Sequence, residues 1–191
     1  MSRSALSKPA FRRLALALVA SAAFSLPALA DTQVVTFNVL NAAATLSTPF
    51  SNGDNLRLNT LVTTETGPLM QSITFTVDGS ASILNGAAVW EVGTADGIGP
   101  RLIGVNLDIF NATTSALVAS DSFAGTLAGF ATSTFANTNI SPGLYRLVAT
   151  GNGIRESSLD VTVSFIPEPG TYALMLAGLG VVGLMVRRRQ A

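Results

Sequence analysis

Ser158-Leu159-Asp160-Val161-Thr162-Val163-Ser164-Phe165 alternates strictly between polar and apolar side chains. A period of two puts one set of side chains on one face of a strand and the other set on the opposite face. Ile73-Thr74-Phe75-Thr76-Val77 repeats the pattern, with apolar residues at the odd positions and threonines between them. Other runs share the texture: TQVVTFNV (32–39), LRLNTLVTT (56–64), AAVWEV (87–92), LIGVNLDIF (102–110), ALVASDSFAG (116–125), GFATSTF (129–135) and GLYRLVATG (143–151). They are rich in Val, Thr, Ile and Phe, whose branched or flat side chains suit a pleated surface. Turn residues separate them: Ser51-Asn52-Gly53-Asp54, Asp78-Gly79, Asn85-Gly86, Asp96-Gly97, Ser141-Pro142-Gly143 and Gly151-Asn152-Gly153. Between the two ends of the chain no apolar face with a helical period is sustained. The pattern predicts an all-β domain over 31–165, an antiparallel β-sandwich of about 8–9 short strands. Within it, Leu144 or Tyr145 together with Leu147 should face the core.

The charge distribution narrows the class further. The chain is formally neutral, but between residues 31 and 166 four arginines stand against ten acids, leaving that region six charges negative. Nucleic acid needs a basic face, so it is not an expected partner. There is no cysteine and no histidine. Disulfides and thiolate metal sites are thereby excluded, and so are the usual general base and the commonest neutral metal ligand. The fold must stand on packing alone.

Residues 1–30 read as a secretory signal. Arg3, Lys8, Arg12 and Arg13 come first, an apolar stretch from Leu14 to Leu26 follows, and Ala28-Leu29-Ala30 supplies small residues before a cut. Cleavage by signal peptidase is expected between Ala30 and Asp31, with Ala28 and Ala30 as the recognised small residues.

Catalytic patterns are missing from the middle. It contains no Gly-x-Ser-x-Gly elbow, no lysine for a Ser-Lys dyad and no phosphate loop. Its acids stand mostly beside turn glycines or on outward strand positions, where solvated carboxylates are ordinary. Asp54 and Asp96 are the nearest to calcium ligands, but the spacing of a calcium loop is absent. Thr74, Thr76, Thr132 and Thr134 could form a water-ordering face of the ice-binding kind, although threonine favours strands in any case. Trp90, the one tryptophan, could stack on a sugar, or serve as a half-buried core aromatic. Asn111-Ala112-Thr113 and Asn139-Ile140-Ser141 fit the glycosylation triplet. No catalytic residue, cofactor or metal is expected.

The C-terminal end differs from everything before it. Thr171 to Val186 is sixteen uncharged residues, which as a helix would cover roughly 24 Å of the ~30 Å hydrocarbon core. Tyr172 can sit at one membrane interface while Arg187, Arg188 and Arg189 reach the other, where positive charge marks the cytoplasmic side. A transmembrane helix over 171–186 and a basic tail over 187–191 are expected. Pro167 and Pro169 give up two backbone donors and fix an extended segment ahead of that helix.

Pro167-Glu168-Pro169, the short glycine-containing apolar helix and the terminal arginine cluster together resemble the PEP-CTERM sorting signal of Gram-negative bacteria, over residues 166–189. The resemblance implies a membrane peptidase of the exosortase type that recognises the tripeptide, cuts near it, and releases or transfers the protein. It also implies export, a transient or permanent inner-membrane anchor, and a setting of exopolysaccharide and biofilm matrix. Tails of this kind also go by the name ice-binding protein C-terminal domain, a label for the tail only. The middle is similar to a group of such proteins marked by Phe-x-Asp-x-Phe. That pattern is not intact here, and Ile73-Thr74-Phe75 holds the equivalent place. The expected product is a non-enzymatic exported protein of the cell surface or matrix, with a carbohydrate- or ice-binding surface module as the alternative.

Overall fold

The computed structural model describes residues 30–79, 81, 83–93, 99, 101–166 and 176–180. Eleven strands follow one another: β1 (Thr32–Phe37), β2 (Asn41–Thr45), β3 (Asn55–Val62), β4 (Gly67–Val77), β5 (Ile83–Glu91), β6 (Leu102–Asn111), β7 (Leu117–Ser120), β8 (Ser122–Leu127), β9 (Phe130–Asn139), β10 (Gly143–Gly153) and β11 (Ser157–Ile166). They form a larger sheet in the order β1-β3-β11-β5-β9-β8 and a smaller one in the order β2-β4-β10-β6-β7.

The two sheets enclose one apolar core. Alternation decides which side chains enter it. Ile73, Phe75 and Val77 of β4 and Leu159, Val161, Val163 and Phe165 of β11 are all at most 1% exposed, while the residues between them face outward. On β10 it is Tyr145 and Leu147 that turn inward and Leu144 that faces out. Phe50, Phe75, Phe165 and Tyr145 stack in one cluster across the two sheets. Phe50 lies against Phe165 with ring centroids 4.8 Å apart, and Phe75 meets Phe165 edge-on at 5.8 Å. Burying one such ring contributes roughly 2–3 kcal/mol, before any gain from ring geometry.

Two expectations need correction. The sheets are mixed, since β1 pairs parallel with β3 and β2 pairs parallel with β4. Consecutive strands in this region alternate between the sheets, so β1 and β3 are joined by a crossing through β2 and not by a hairpin. Among the described residues there are eleven strands, above the eight or nine expected. One addition is β2, whose Asn-Ala-Ala-Ala-Thr carries little β preference and is held by its neighbour β4. The other arises because ALVASDSFAG breaks at Asp121, where the chain passes from the smaller sheet (β7) to the larger (β8).

Two expected turns also lie inside strands. Asn85-Gly86 belongs to β5 at a bulge against β9. A Cβ on Gly86 would come within 2.2 Å of the Phe135 ring, so the glycine makes room for an aromatic. Gly151-Asn152-Gly153 completes β10, with a bulge against β6. The flanking helices fall largely outside the described residues. The signal segment does so except for Ala30, and of the span 171–186 only 176–180 are described, as one helical turn. Among the described residues no helix is long and apolar enough to cross a membrane.

Candidate functional site

The first and last strands of the domain meet at one loop, residues 51–55. Gly53, with φ of 92°, turns the chain so that Asp54 points inward at 8% exposure. A carboxylate so placed is costly unless hydrogen-bonded, and both of its oxygens are engaged. The backbone N–H of Asp31 donates to Oδ1 and that of Ser51 to Oδ2, each at 2.7 Å. The N–H of Asn55 donates in turn to the carbonyl of Asp31 at 2.8 Å.

The same loop holds the other terminus of the domain. Gly53 N–H donates to the Phe165 carbonyl at 2.6 Å, and Phe165 N–H donates to the Asp54 carbonyl at 3.0 Å. The Ser164 hydroxyl donates to Asn55 Oδ1 at 2.7 Å. Register explains the meeting. Thr32 of β1 and Ser164 of β11 both pair with Asn55, on opposite sides of β3. β1 begins where β11 ends, so Asp31 and Ile166 leave the domain at the same end, about 10 Å apart at the usual strand spacing. β11 runs one residue beyond the expected boundary, since Ile166 still pairs with Ile83.

The predicted site residues divide accordingly. Ala30 and Asp31 are described and exposed, with Asp31 bound as above. Ala28, Pro167, Glu168, Pro169, Tyr172, Arg187, Arg188 and Arg189 lie outside the described residues. Asp54, the calcium candidate, spends both oxygens on backbone donors, and Asp96 is outside the described residues. Among the described residues no group of three or more acids could hold a metal ion. Trp90 is 5% exposed and meets Phe123 at 6.3 Å, so it does not offer an open face to a sugar. The four threonines do not form one array. Thr74 and Thr76 face outward from the smaller sheet, Thr132 and Thr134 from the larger, on opposite sides of the core. Asn111 caps its own turn, its Oδ1 accepting from the N–H groups of Thr113 and Thr114.

Sequence reading missed the pairing roles of the other acids. Glu65 accepts from Leu40 N–H, Asp121 from Leu107 N–H and the Ser133 hydroxyl, Asp78 from the Ser51 hydroxyl and Asp108 from Asn106. Glu91 and Glu156 flank Arg101. It also missed a buried polar tie between the sheets, in which Thr60 donates to Gln71 Oε1 at 2.6 Å and Gln71 donates to the Val39 carbonyl at 2.8 Å. Their partners lie ten or more residues away in most cases, and nothing local encodes that distance.

Each sheet carries a groove on its outer face. On the larger sheet a space of about 620 Å³ is floored by Ala87 and Val89 and flanked by Leu61, Phe130 and Asn59. Arg57 and Asp160 face each other in it as a two-bonded ion pair, and the Asp160 hydrogen bond, then its charge, raise the Arg57 pKa above its ordinary range. On the smaller sheet a space of about 530 Å³ lies between Met70, Ala43, Val148 and Phe110. Arg146 stands over the Phe110 ring at 5.7 Å.

Residues 165–189 match the model of the PEP-CTERM protein-sorting motif. That motif marks an exported, membrane-transiting protein processed by an exosortase. Its first residue, Phe165, is at the same time a core residue of the last strand. No curated protein matches the chain. Among solved structures, the pre-peptidase C-terminal domain of collagenase from Bacillus anthracis is similar at 12% identity and a TM-score of 0.36, over 71% of this chain and 96% of that one.

Proposed function

We propose that this chain is a non-enzymatic exported protein, a two-sheet sandwich carried between two membrane-directed ends. Signal peptidase removes residues 1–30 between Ala30 and Asp31. The segment 166–191 holds the precursor in the inner membrane through a helix over 171–186, with Tyr172 at the outer interface and Arg187, Arg188 and Arg189 at the inner one. An exosortase-type peptidase recognises Pro167-Glu168-Pro169, and the domain then reaches the cell surface or an exopolysaccharide matrix.

The observation that carries this reading is the sorting motif joined directly to a closed domain. Phe165 is fully buried and Ile166 is still paired, so the tripeptide begins one residue after the fold ends. A peptidase cleft needs extended, unpaired backbone, and the chain is still strand-paired up to Ile166. The cut therefore falls C-terminal to Ile166. The shared exit of Asp31 and Ile166 supports the same reading, because a precursor with apolar segments at both ends must present both to one membrane face. The engaged carboxylates support a non-enzymatic role.

Replacing Pro167, Glu168 and Pro169 by alanine in an exosortase-bearing host should leave the precursor in the membrane fraction at its unprocessed mass. Unchanged mass and location of the mature form would sink the sorting role. The groove over Ala87, Val89 and Phe130 favours carbohydrate binding as a second reading, because an exposed ring beside Asn59, Arg57 and Asp160 offers both stacking and hydrogen bonds to a sugar. Retention on the host's own polysaccharide that is lost in Phe130→Ala would support it, and no retention of the unaltered protein would remove it.

A further inference from the structure

We infer that Asp54 is the receptor for the α-ammonium group that signal removal creates on Asp31, so that maturation itself converts a hydrogen bond from a neutral amide to a carboxylate into an ion pair. This inference rests on the proposed cut between Ala30 and Asp31. Hydrolysis adds water across that bond. The carboxylate leaves with Ala30, and the nitrogen of Asp31, now the chain terminus, takes up protons to become an ammonium.

That nitrogen already lies 2.7 Å from Asp54 Oδ1. Its position is fixed without help from the preceding chain, because Asn55 N–H holds the Asp31 carbonyl and β1 pairs with β3 from Thr32 onward. Asp54 is equally fixed, by Ser51 N–H on its second oxygen and by the Phe165 N–H on its own carbonyl. At 8% exposure the carboxylate is shielded from water, which strengthens its attraction for a cation. Ala30 packs over Gly53, near the Cβ position that a larger residue would occupy there. Its removal uncovers the glycine without disturbing the carboxylate. The processed form is thus held at its new N-terminus more firmly than the precursor, on the loop that also holds Phe165.

The composition supplies a clean probe. Lys8 is the only lysine, and it lies in the removed segment. The α-amine of Asp31 is then the sole primary amine of the processed protein. The full chain would be expressed with its own signal in an exporting Gram-negative host, and the processed protein purified and its N-terminus sequenced. Asp31 as first residue is expected. Any other first residue overturns the inference together with the proposed cut. With Asp31 first, native labelling by an amine-reactive ester should run about tenfold slower than in Asp54→Asn, the ratio that one charge-assisted hydrogen bond gives. Equal rates overturn the ion pair while leaving the cut intact. If Asp54→Asn does not accumulate, chemical modification of the unaltered protein decides. Acetylation, which removes the charge, should lower Tm by roughly 3–6 °C. Reductive dimethylation, which keeps the charge and one N–H, should lower it clearly less, and equal falls would overturn the inference.

Discussion

The two junctions of the domain leave it side by side but are held by different physics. At the N-terminal junction, β1 is an edge strand in which only Phe37 is buried, and its first residue is fixed by a carboxylate. At the C-terminal junction, β11 lies inside the larger sheet, paired with β3 and β5, and its last core residue stacks on Phe50. Polar contacts from the 51–55 loop reach both ends, but only the second is also fixed by a fully buried aromatic side chain. The difference suits their fates. In the proposed maturation the first end closes on a newly made terminus, which a hydrogen-bonding receptor can recognise. On the proposed processing the second must resist while a peptidase works on the segment that follows, and a filled core gives that resistance.

Substitutions at the two ends should separate these mechanisms. Phe165→Ala opens a cavity in the aromatic cluster and should cost about 3–5 kcal/mol, read as a fall in the denaturation midpoint. A cost under about 1 kcal/mol would mean the C-terminal strand is not anchored by its core residue. Asp54→Ala leaves the N–H groups of Asp31 and Ser51 without their acceptor, and about 1–3 kcal/mol should be lost. Hydrogen exchange should then quicken in β1 and in residues 51–55 more than in the centre of β11, where equal quickening throughout would erase the distinction between the ends. Arg57→Ala removes an exposed ion pair close to both junctions and should leave the midpoint unmoved, since solvent and salt screen such pairs. A clear fall in the midpoint there would show that surface charge also holds this end.

Much of this was legible in the sequence. Alternation alone assigns the inward residues of β4 and β11, because burial of one strand face follows directly from the period of two. It could not assign neighbours. Thr32 pairs with Asn55 in parallel only because β2 departs to the other sheet, and Asn-Ala-Ala-Ala-Thr gives no local sign of that departure. Asn85-Gly86 reads as a turn by residue type, yet the glycine serves the ring of Phe135, 49 residues on. At the candidate site, Ser51-Asn52-Gly53-Asp54 was visible as a turn, but its partners were not.

By itself the sequence determined the sorting segment at the C-terminal end and the β character of the region before it. Those depend on local composition, spacing and period, which a linear chain carries in full. Only the tertiary structure decided that Asp31 and Phe165 share one loop, and that a buried carboxylate awaits the nitrogen at the expected cut. Such contacts arise from sheet order and strand direction, which are set by the packing of all eleven strands at once.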